Sequence, residues 1–164
     1  TSEIITASTN GADGFLWGGE LEASWNLDRQ WRASGFVAYV DGEADTYPNN
    51  SLDSVREPVS RLMPLTAQLA LRWTGDGGLW VEGRVIGAGR AGRLNSGARG
   101  DTSRFPPAGT PGYVVAFLSS GYQVNEHVEL NVTFENVTDT SYRVHGSGVN
   151  QPGFNAIVGG RFSW

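Results

Sequence analysis

Arginines cluster in one stretch of this 164-residue sequence, where their types and spacing suit anion binding. A guanidinium group recognises planar anions such as carboxylate and phosphate through paired hydrogen bonds. Asp101 is the acid that lies among these arginines, so the stretch is strongly basic. An anionic ligand or a lipopolysaccharide phosphate could bind such a loop, but ordinary solvated loop charge is the preferred interpretation. The stretch contains Arg84, Arg90, Arg93, Arg99 and Arg104, of which Arg93, Arg99 and Arg104 are the ligand-binding candidates.

A second candidate is the tripeptide His145-Gly146-Ser147, which follows Asp139 closely in the sequence. Nucleophilic catalysis needs a serine activated by a base that a third group orients, and the sequence has no G-x-S-x-G nucleophile turn. We therefore predict no enzyme and no catalytic residue, and interpret the segment as a loop whose glycines permit tight turns. Its ligand-binding candidates are Tyr142, Arg143 and His145, and the first two could also hydrogen-bond to neighbouring strands.

Metal and cofactor sites are not indicated by the sequence. The absence of cysteine excludes thiolate ligands and disulfides, and neither His127 nor His145 has a partner at metal-ligand spacing. The aspartates from Asp41 to Asp53 favour solvated loop charge over a cation site, because they lack the alternating pattern of a calcium loop. The net charge of −5 gives no basic footprint for nucleic acid. We predict no metal, no cofactor and no nucleic-acid partner.

The elements that position these residues are strands, because hydrophobicity alternates with a period of two. Four stretches have one face almost wholly apolar and the other almost wholly polar: Glu20 to Leu27, Leu65 to Thr74, His127 to Glu135 and Phe154 to Trp164. Four weaker strands are predicted at Thr1 to Ala7, Trp31 to Val40, Leu79 to Gly89 and Tyr113 to Tyr122. Helical periodicity is nowhere convincing.

The predicted connections alternate between short turns and long loops. The short ones are 28–30, 75–78 and 123–126, and the long ones are 41–64, 90–110 and 137–152. Short turns on one rim and long loops on the other are typical of outer-membrane barrels. Charges on the polar faces, such as Arg72 and Glu129, would then face a water-filled or plugged lumen. The predicted fold class is an all-β, antiparallel up-and-down transmembrane β-barrel of about eight strands.

Aromatic residues sharpen this interpretation, because five of the six tryptophans collect at the rim of the short turns: Trp25, Trp31, Trp73, Trp80 and Trp164. Indole prefers the headgroup level of a bilayer, so we predict an aromatic girdle there. A soluble β-sandwich with these rings in its core is the alternative. The longest apolar run, Tyr113 to Leu118, is too short for a membrane-spanning helix, which needs about 20 residues. No signal peptide is recognised, so either it was removed or the chain is a piece of something longer.

Several motifs resemble those of TonB-dependent outer-membrane receptors. They are Glu135-Asn136-Val137-Thr138-Asp139, Tyr142-Arg143-Val144-His145-Gly146-Ser147-Gly148, and Gln151-Pro152-Gly153 before a final alternating strand. Gly18-Gly19-Glu20-Leu21-Glu22 and Thr110-Pro111-Gly112-Tyr113 are similar to two further stretches of the family. The resemblance implies that residues 1–164 are the C-terminal part of the receptor barrel, roughly the last third of about 22 strands around a plugged lumen. Nothing in the sequence resembles the plug domain, and Phe154 stands where the family usually has arginine.

The resemblance also implies a function and partners. Such receptors take up scarce ligands such as siderophores across the Gram-negative outer membrane, so the implied partners are outer-membrane lipid, the rest of the barrel and plug, and the TonB complex indirectly through the plug. Val158, Phe162 and Trp164 resemble the C-terminal signal that the barrel assembly machinery reads by edge pairing, with ordinary girdle packing as the alternative. The rival functions are a stand-alone small barrel or an assembly of barrel fragments without transport, and a soluble β-sandwich binding module.

Overall fold

The computed structural model describes residues 13–48 and 53–164, which form one antiparallel sheet of eight strands and one short helix. The elements are β1 (Gly14–Asn26), β2 (Trp31–Thr46), β3 (Val55–Pro58), β4 (Thr66–Thr74), β5 (Leu79–Ala88), α1 (Ser96–Gly100), β6 (Tyr113–Asn125), β7 (Val128–Glu135) and β8 (Asn155–Phe162). The predicted all-β, antiparallel up-and-down class is confirmed. The predicted strand at Thr1 to Ala7 lies outside the described residues.

The strands follow one another across the sheet in the order β1-β2-β4-β5-β6-β7-β8, and β3 pairs with the far end of β2. The register keeps the predicted alternation in step from strand to strand. One row of partners contains Leu21, Val37, Ala67, Gly87 and Val114. Because directly opposite residues point to the same side of a sheet, the apolar positions form one continuous outer face and the polar positions form one inner face.

The outer face is exposed, which reverses the usual arrangement of a water-soluble fold. Leu21, Leu69 and Val158 are 67%, 72% and 81% exposed. A contiguous exposed apolar surface of this kind marks contact with lipid or another apolar partner, and lipid-facing strands alternate apolar and polar residues in this way. The β-sandwich alternative is wrong, because the described residues form one sheet and no second sheet covers its apolar face.

The sheet is open within the part of the chain that the structure describes. β1 and β8 are its two edges, and they do not pair with each other. The described strands therefore form an open segment such as part of a barrel wall would form. They do not close on themselves into a small barrel, which was one of the alternatives. A barrel spans lipid only when no backbone edge is left unpaired in the hydrocarbon, and both edges of this sheet are unpaired within the described residues.

Two long connections contain regular structure that the sequence pattern missed. β2 continues to Thr46 and forms a hairpin with β3, within the predicted loop 41–64. α1 lies within the predicted loop 90–110, where the Asn95 side chain caps it by accepting from the Ala98 N–H at 2.7 Å. A five-residue helix is too short to show a 3.6-residue period. None of the described helices is long and apolar enough to span a bilayer.

Candidate functional site

A lower belt of aromatic side chains borders the outer face beside the short turns. Trp31 and Trp73 are direct partners in the β2–β4 register, and Trp25 on β1 is 72% exposed. Tyr122 near the end of β6 and Trp164 after β8 are also exposed. These five residues are the lower belt, and they suit the headgroup level of a bilayer because an indole or phenol has an apolar body and a polar tip.

Trp80 was predicted in this girdle, and that prediction is wrong. Its register partners are Thr74 and Gly121, so it points to the inner face. There its ring lies over Gly121, leaving no room for a Cβ, and its Nε1–H donates to Glu129 Oε1 at 3.1 Å. The alternation of Trp80 with Glu82 and Arg84 was the signal that placed it among polar residues.

An upper belt lies at the opposite end of the outer face and was not predicted. Trp17 on β1 and Tyr39 on β2 pack edge to face, with ring centroids 5.3 Å apart. The next residues of β2 on the same face are Asp41, Glu43 and Asp45, so the surface changes from apolar to acidic just past Tyr39. Trp17 and Trp25 are separated by roughly 27 Å of strand at about 3.4 Å per residue, close to the apolar band of about 25 Å in outer-membrane barrels.

The inner face carries the ionisable groups that the sequence pattern assigned to a lumen. Side-chain hydrogen bonds link neighbouring strands there, between Ser119 Oγ and Thr133 Oγ1 at 3.0 Å and from Asn155 Nδ2 to Glu135 Oε2 at 3.2 Å. By register, the charged residues of this face are Glu20, Glu22, Arg32, Glu57, Arg72, Glu82, Arg84, Glu129, Glu135 and Arg161. A surface of this composition suits water or a polar partner in the lumen.

Glu57 on β3 fastens the β2–β3 hairpin to the loop between β5 and β6. Its side chain is 7% exposed and accepts from Ser96 N at 2.9 Å, Ser96 Oγ at 2.7 Å and Thr46 Oγ1 at 2.7 Å. Burial raises the pKa of Glu57, but the hydrogen bonds from Ser96 and Thr46 and the charge of Arg99 outweigh it and leave the pKa below its usual value. The carboxylate is therefore the form that holds the two segments together.

Arg93 and Arg56 pair with the acidic end of β2. Arg93 binds Asp41 and, at 2.5 Å, Glu43. Arg56 binds Asp45 at 3.0 Å. Asp41 and Asp45 thus have arginine partners, and the described residues contain no group of acids and histidines suited to a metal ion. Arg93, one of the predicted anion-binding residues, thus already forms ion pairs with two carboxylates of its own chain.

Arg99 and Arg104 lie around α1, which packs on a small buried cluster of Leu94, Ala98 and Phe105. Arg104 pairs with Asp101 at 3.2 Å. The hydrogen bond from Ser103 contributes most to lowering the pKa of Asp101. Arg99 is exposed and lies in the last turn of the helix. Of the three predicted arginines, Arg99 is the one to which no described acid forms an ion pair, although its charge acts on Glu57.

Tyr142, Arg143 and His145 join the last loop to its neighbour. The His145 ring packs on Phe105 with centroids 5.0 Å apart, and its Nδ1 shares a 2.9 Å hydrogen bond with Thr110 Oγ1. Burial lowers the pKa of His145, so the ring is neutral near pH 7. Tyr142 packs on Tyr113 at 4.6 Å, and Arg143 Nε donates to Asn150 Oδ1 at 3.0 Å.

Burial contributes most to raising the pKa of Tyr142, and the charge of Glu135 adds to it. Its phenol therefore keeps its proton at neutral pH and stays a hydrogen-bond donor. The six predicted ligand-binding residues thus fall into two groups. Three arginines lie around the β5–β6 loop and three residues lie in the β7–β8 loop, and the two loops meet at His145 and Phe105.

The segment with Asp139, His145 and Ser147 has no catalytic arrangement. Ser147 Oγ donates to Val149 O at 2.9 Å, while Asp139 Oδ1 accepts from the Phe154 N–H at 2.9 Å. His145 is engaged with Thr110. A nucleophile, base and orienting acid must be in mutual hydrogen-bond reach, and each of these side chains has a different partner.

Asn136 is the buried centre of this last loop, at 2% exposed. Its Nδ2 donates to the carbonyls of Thr140 and Pro152 at 2.9 and 3.0 Å, and its Oδ1 accepts from the Thr140 N–H at 2.9 Å. The residue has a positive φ of 48°, which asparagine tolerates better than most residues. Within the motif at 135–139, Asn136 thus joins the two ends of the β7–β8 loop by hydrogen bonds to Thr140 and Pro152.

Comparison of the sequence with models of known protein families shows which family the chain belongs to. The sequence model of the TonB dependent receptor-like β-barrel matches residues 3–137, most of the chain. The chain belongs to this family. No curated protein sequence matches it.

Solved structures of a copper transporter and of two receptors for ferric compounds share the fold. The copper transporter OprC superimposes with a TM-score of 0.71 at 21% identity, over 92% of this chain and 24% of that one. The ferric-catecholate import receptor Fiu from E. coli K12 gives a TM-score of 0.65 at 18% identity, over 91% and 21%. The ferric yersiniabactin uptake receptor FyuA from Yersinia pestis gives 0.61 at 19% identity, over 93% and 24%. The chain therefore spans about a quarter of the length of the receptors it resembles.

Proposed function

We propose that this chain forms the C-terminal part of the β-barrel of a TonB-dependent receptor in a Gram-negative outer membrane, where it takes part in the uptake of a scarce ligand such as a siderophore. The observation that carries the proposal is an exposed apolar face bounded by two aromatic belts, opposite a polar inner face. Membership of the family supports the same function. The family and the structures it resembles are receptors and transporters, which supports a role without catalysis.

The proposed partners follow from the two faces and two edges of the sheet. Lipid covers the outer face, further barrel strands pair with β1 and β8, and a plug occupies the lumen and links the receptor to the TonB complex. We propose the long loops as the ligand-contacting surface, with Arg93, Arg99, Arg104, Tyr142, Arg143 and His145 as candidates. Arg99 is the strongest of the three arginines, because the described acids leave it without an ion pair.

The last strand is proposed as the assembly signal. Val158 and Phe162 are 81% and 66% exposed on the outer face of β8, and Trp164 is fully exposed. The strand has one free edge, to which the barrel assembly machinery can add by backbone pairing.

The experiment that tests the proposed function is the mass of the native complex, extracted from outer membranes in mild detergent. A companion polypeptide, or a longer parent chain, large enough for a plug and about 14 further strands supports the receptor. A lone chain of 17.6 kDa or a small homo-oligomer contradicts it and favours a barrel fragment without transport. With the receptor in hand, uptake of ferric siderophores and copper by strains with and without it would identify the ligand class.

A further inference from the structure

A segment of the β5–β6 loop binds the outer face of the β2–β3 hairpin. We call residues 93–105, which include the helix α1, the α1 segment. Its first residue, Arg93, forms ion pairs with Asp41 and, at 2.5 Å, with Glu43. Both acids follow Tyr39 on the outer face of β2. The α1 segment is therefore attached to the hairpin from the outer side.

The same segment binds the inner face of the hairpin one helical turn further along the chain. Ser96 donates to the Glu57 carboxylate from its N–H at 2.9 Å and from its Oγ at 2.7 Å. Glu57 is the register partner of Ala44, which places its side chain on the face opposite to the acids that bind Arg93. Attachment on both faces keeps the hairpin from moving away from the α1 segment in either direction.

The α1 segment is held together by its own packing and hydrogen bonds. Leu94, Ala98 and Phe105 are buried and form one apolar cluster. The Phe105 N–H donates to Asp101 O at 3.0 Å, which ties the residues after the helix to its end. Phe105 therefore has a fixed position relative to Ser96, so the two ends of the segment move together.

The far end of the α1 segment packs against the β7–β8 loop. The rings of Phe105 and His145 are in contact, with centroids 5.0 Å apart. Gly148 lies against Arg104, because a Cβ at this glycine would be 3.5 Å from Arg104 Cγ. Thr110 Oγ1, a few residues beyond the segment, is hydrogen-bonded to His145 Nδ1 at 2.9 Å. The β7–β8 loop is thus joined to the end of the segment that lies away from the hairpin.

These contacts place the α1 segment between two loops that are far apart in the sequence. Among the described residues, no ion pair joins the hairpin directly to the β7–β8 loop. We propose that the α1 segment is a bracket that couples the β2–β3 hairpin to the β7–β8 loop, so that the three segments open and close as one cooperative unit. The inference concerns the loops alone and does not depend on what the receptor takes up.

Coupling of this kind is reciprocal. A bond removed at either joint of the bracket destabilises the closed form of all three segments, because they lose their shared contacts when they open together. For the same reason, any molecule that binds the closed form of one loop also stabilises the other loop. Independent loops would instead respond only where a bond is removed.

Hydrogen exchange, measured by mass spectrometry on the receptor purified from outer membranes, tests the coupling. Glu57→Gln weakens the joint with the hairpin. We expect exchange of residues 139–151 to rise by about fivefold to thirtyfold, the scale of weakened hydrogen bonds to a charged group, and by the same factor as exchange of the α1 segment. His145→Ala weakens the other joint and should raise exchange of hairpin residues 42–46 and 55–58.

Arg56→Gln is the matched control. Arg56 belongs to the same hairpin but binds Asp13 and Asp45, so the variant keeps both joints and should leave exchange of residues 139–151 unchanged. If Glu57→Gln prevents assembly of the receptor, Ser96→Ala removes only the bond from Oγ and should give a smaller rise with the same distribution.

Two kinds of result overturn the proposal. One is a rise confined to the α1 segment and the hairpin in Glu57→Gln or Ser96→Ala, or an unchanged hairpin in His145→Ala, because either result shows that the loops open separately. The other is an equal rise of residues 139–151 in Arg56→Gln and Glu57→Gln, which shows a general loosening of the loops without a bracket.

Discussion

Trp80 donates its indole N–H to Glu129 Oε1 across β6, at 3.1 Å, although the other tryptophans beside the short turns lie on the outer face. Trp73 is close to Trp80 across the β4–β5 turn, but it points to the outer face, opposite Trp31. Two tryptophans at the same rim thus lie on opposite faces of the sheet, Trp73 on the outer face and Trp80 on the inner face. The difference follows from parity along the strands, because successive side chains alternate between faces.

Fluorescence quenching by brominated lipid should separate these two tryptophans. We expect a variant that keeps only Trp73 to be strongly quenched in vesicles of brominated lipid, because its ring lies on the lipid-facing side. A variant that keeps only Trp80 should be quenched weakly, since its ring is covered by Arg72. Comparable quenching of the two variants would contradict the assignment of faces.

Much of this fold was predictable from the sequence because a sheet with one apolar and one polar face imposes a period of two on each strand. The faces of β4, β7 and β8 were predicted correctly by alternation alone. The prediction for Trp80 was wrong because its place beside a turn does not determine its face, whereas its alternation with Glu82 and Arg84 does. The β2–β3 hairpin was missed because Asp41, Glu43 and Asp45 end the apolar pattern while the backbone pairing continues.

The candidate loop residues were predictable by type but not by partner. A sequence shows that Arg93 and Arg104 lie in a basic stretch, but the acids that bind Arg93 come from β2, about 50 residues earlier. Glu57 carried no sequence signal at all. Its importance arises from burial against Ser96, which only the packing of the loops determines.

Replacing Glu57 with glutamine should loosen the junction between the β2–β3 hairpin and the β5–β6 loop. The charged hydrogen bonds from Ser96 and Thr46 become neutral ones, which we expect to cost about 1–2 kcal/mol of local stability. Hydrogen exchange of the Ser96 amide measures this. Glu43→Gln removes a half-buried partner of the exposed Arg93 on the same hairpin and should cost less than about 1 kcal/mol. Equal effects of the two substitutions would refute a special role of Glu57.

The same junction should weaken in acid. The pKa of Glu57 is lowered in the folded protein, so its contribution is complete above its ordinary value of about 4.5 and is lost as the pH falls through the folded value. Exchange of the Ser96 amide, corrected for its intrinsic rate, should therefore rise below about pH 4.5 in the native protein. In Glu57→Gln this rise should be absent, and its persistence would show that another group controls the junction.

His145 should make the contact between the last two loops sensitive to a milder pH. Its folded pKa is lowered by burial, so the unfolded loop binds a proton more readily than the packed one. The contact is complete above about pH 6.5 and weakens as the pH falls from there toward the lowered value. Limited proteolysis of residues 136–154 should accelerate between pH 7.5 and pH 5.5. His145→Gln should remove most of this difference, and an undiminished pH effect would contradict the assignment.

Asn136→Ala should destabilise the last loop more than any other single amide replacement there. It removes two donated hydrogen bonds and one accepted bond in a buried site, and we expect a loss of about 2–4 kcal/mol. Thermal unfolding of the protein in detergent measures the change. Asn150→Ala loses the exposed bond to Arg143 and should cost less than about 1 kcal/mol. Similar losses in both variants would argue against Asn136 as the centre of the loop.

The central claim is that one face of this sheet meets lipid and the other meets a lumen. The chain has no cysteine, so a single cysteine placed in turn at each position from Thr66 to Thr74 can carry a spin label without further changes. We predict that in reconstituted membranes the accessibility to oxygen alternates with a period of two and peaks at Leu69, Leu71 and Trp73. Absence of alternation, or higher accessibility of Leu69 and Leu71 to a water-soluble nickel reagent than to oxygen, would contradict the account.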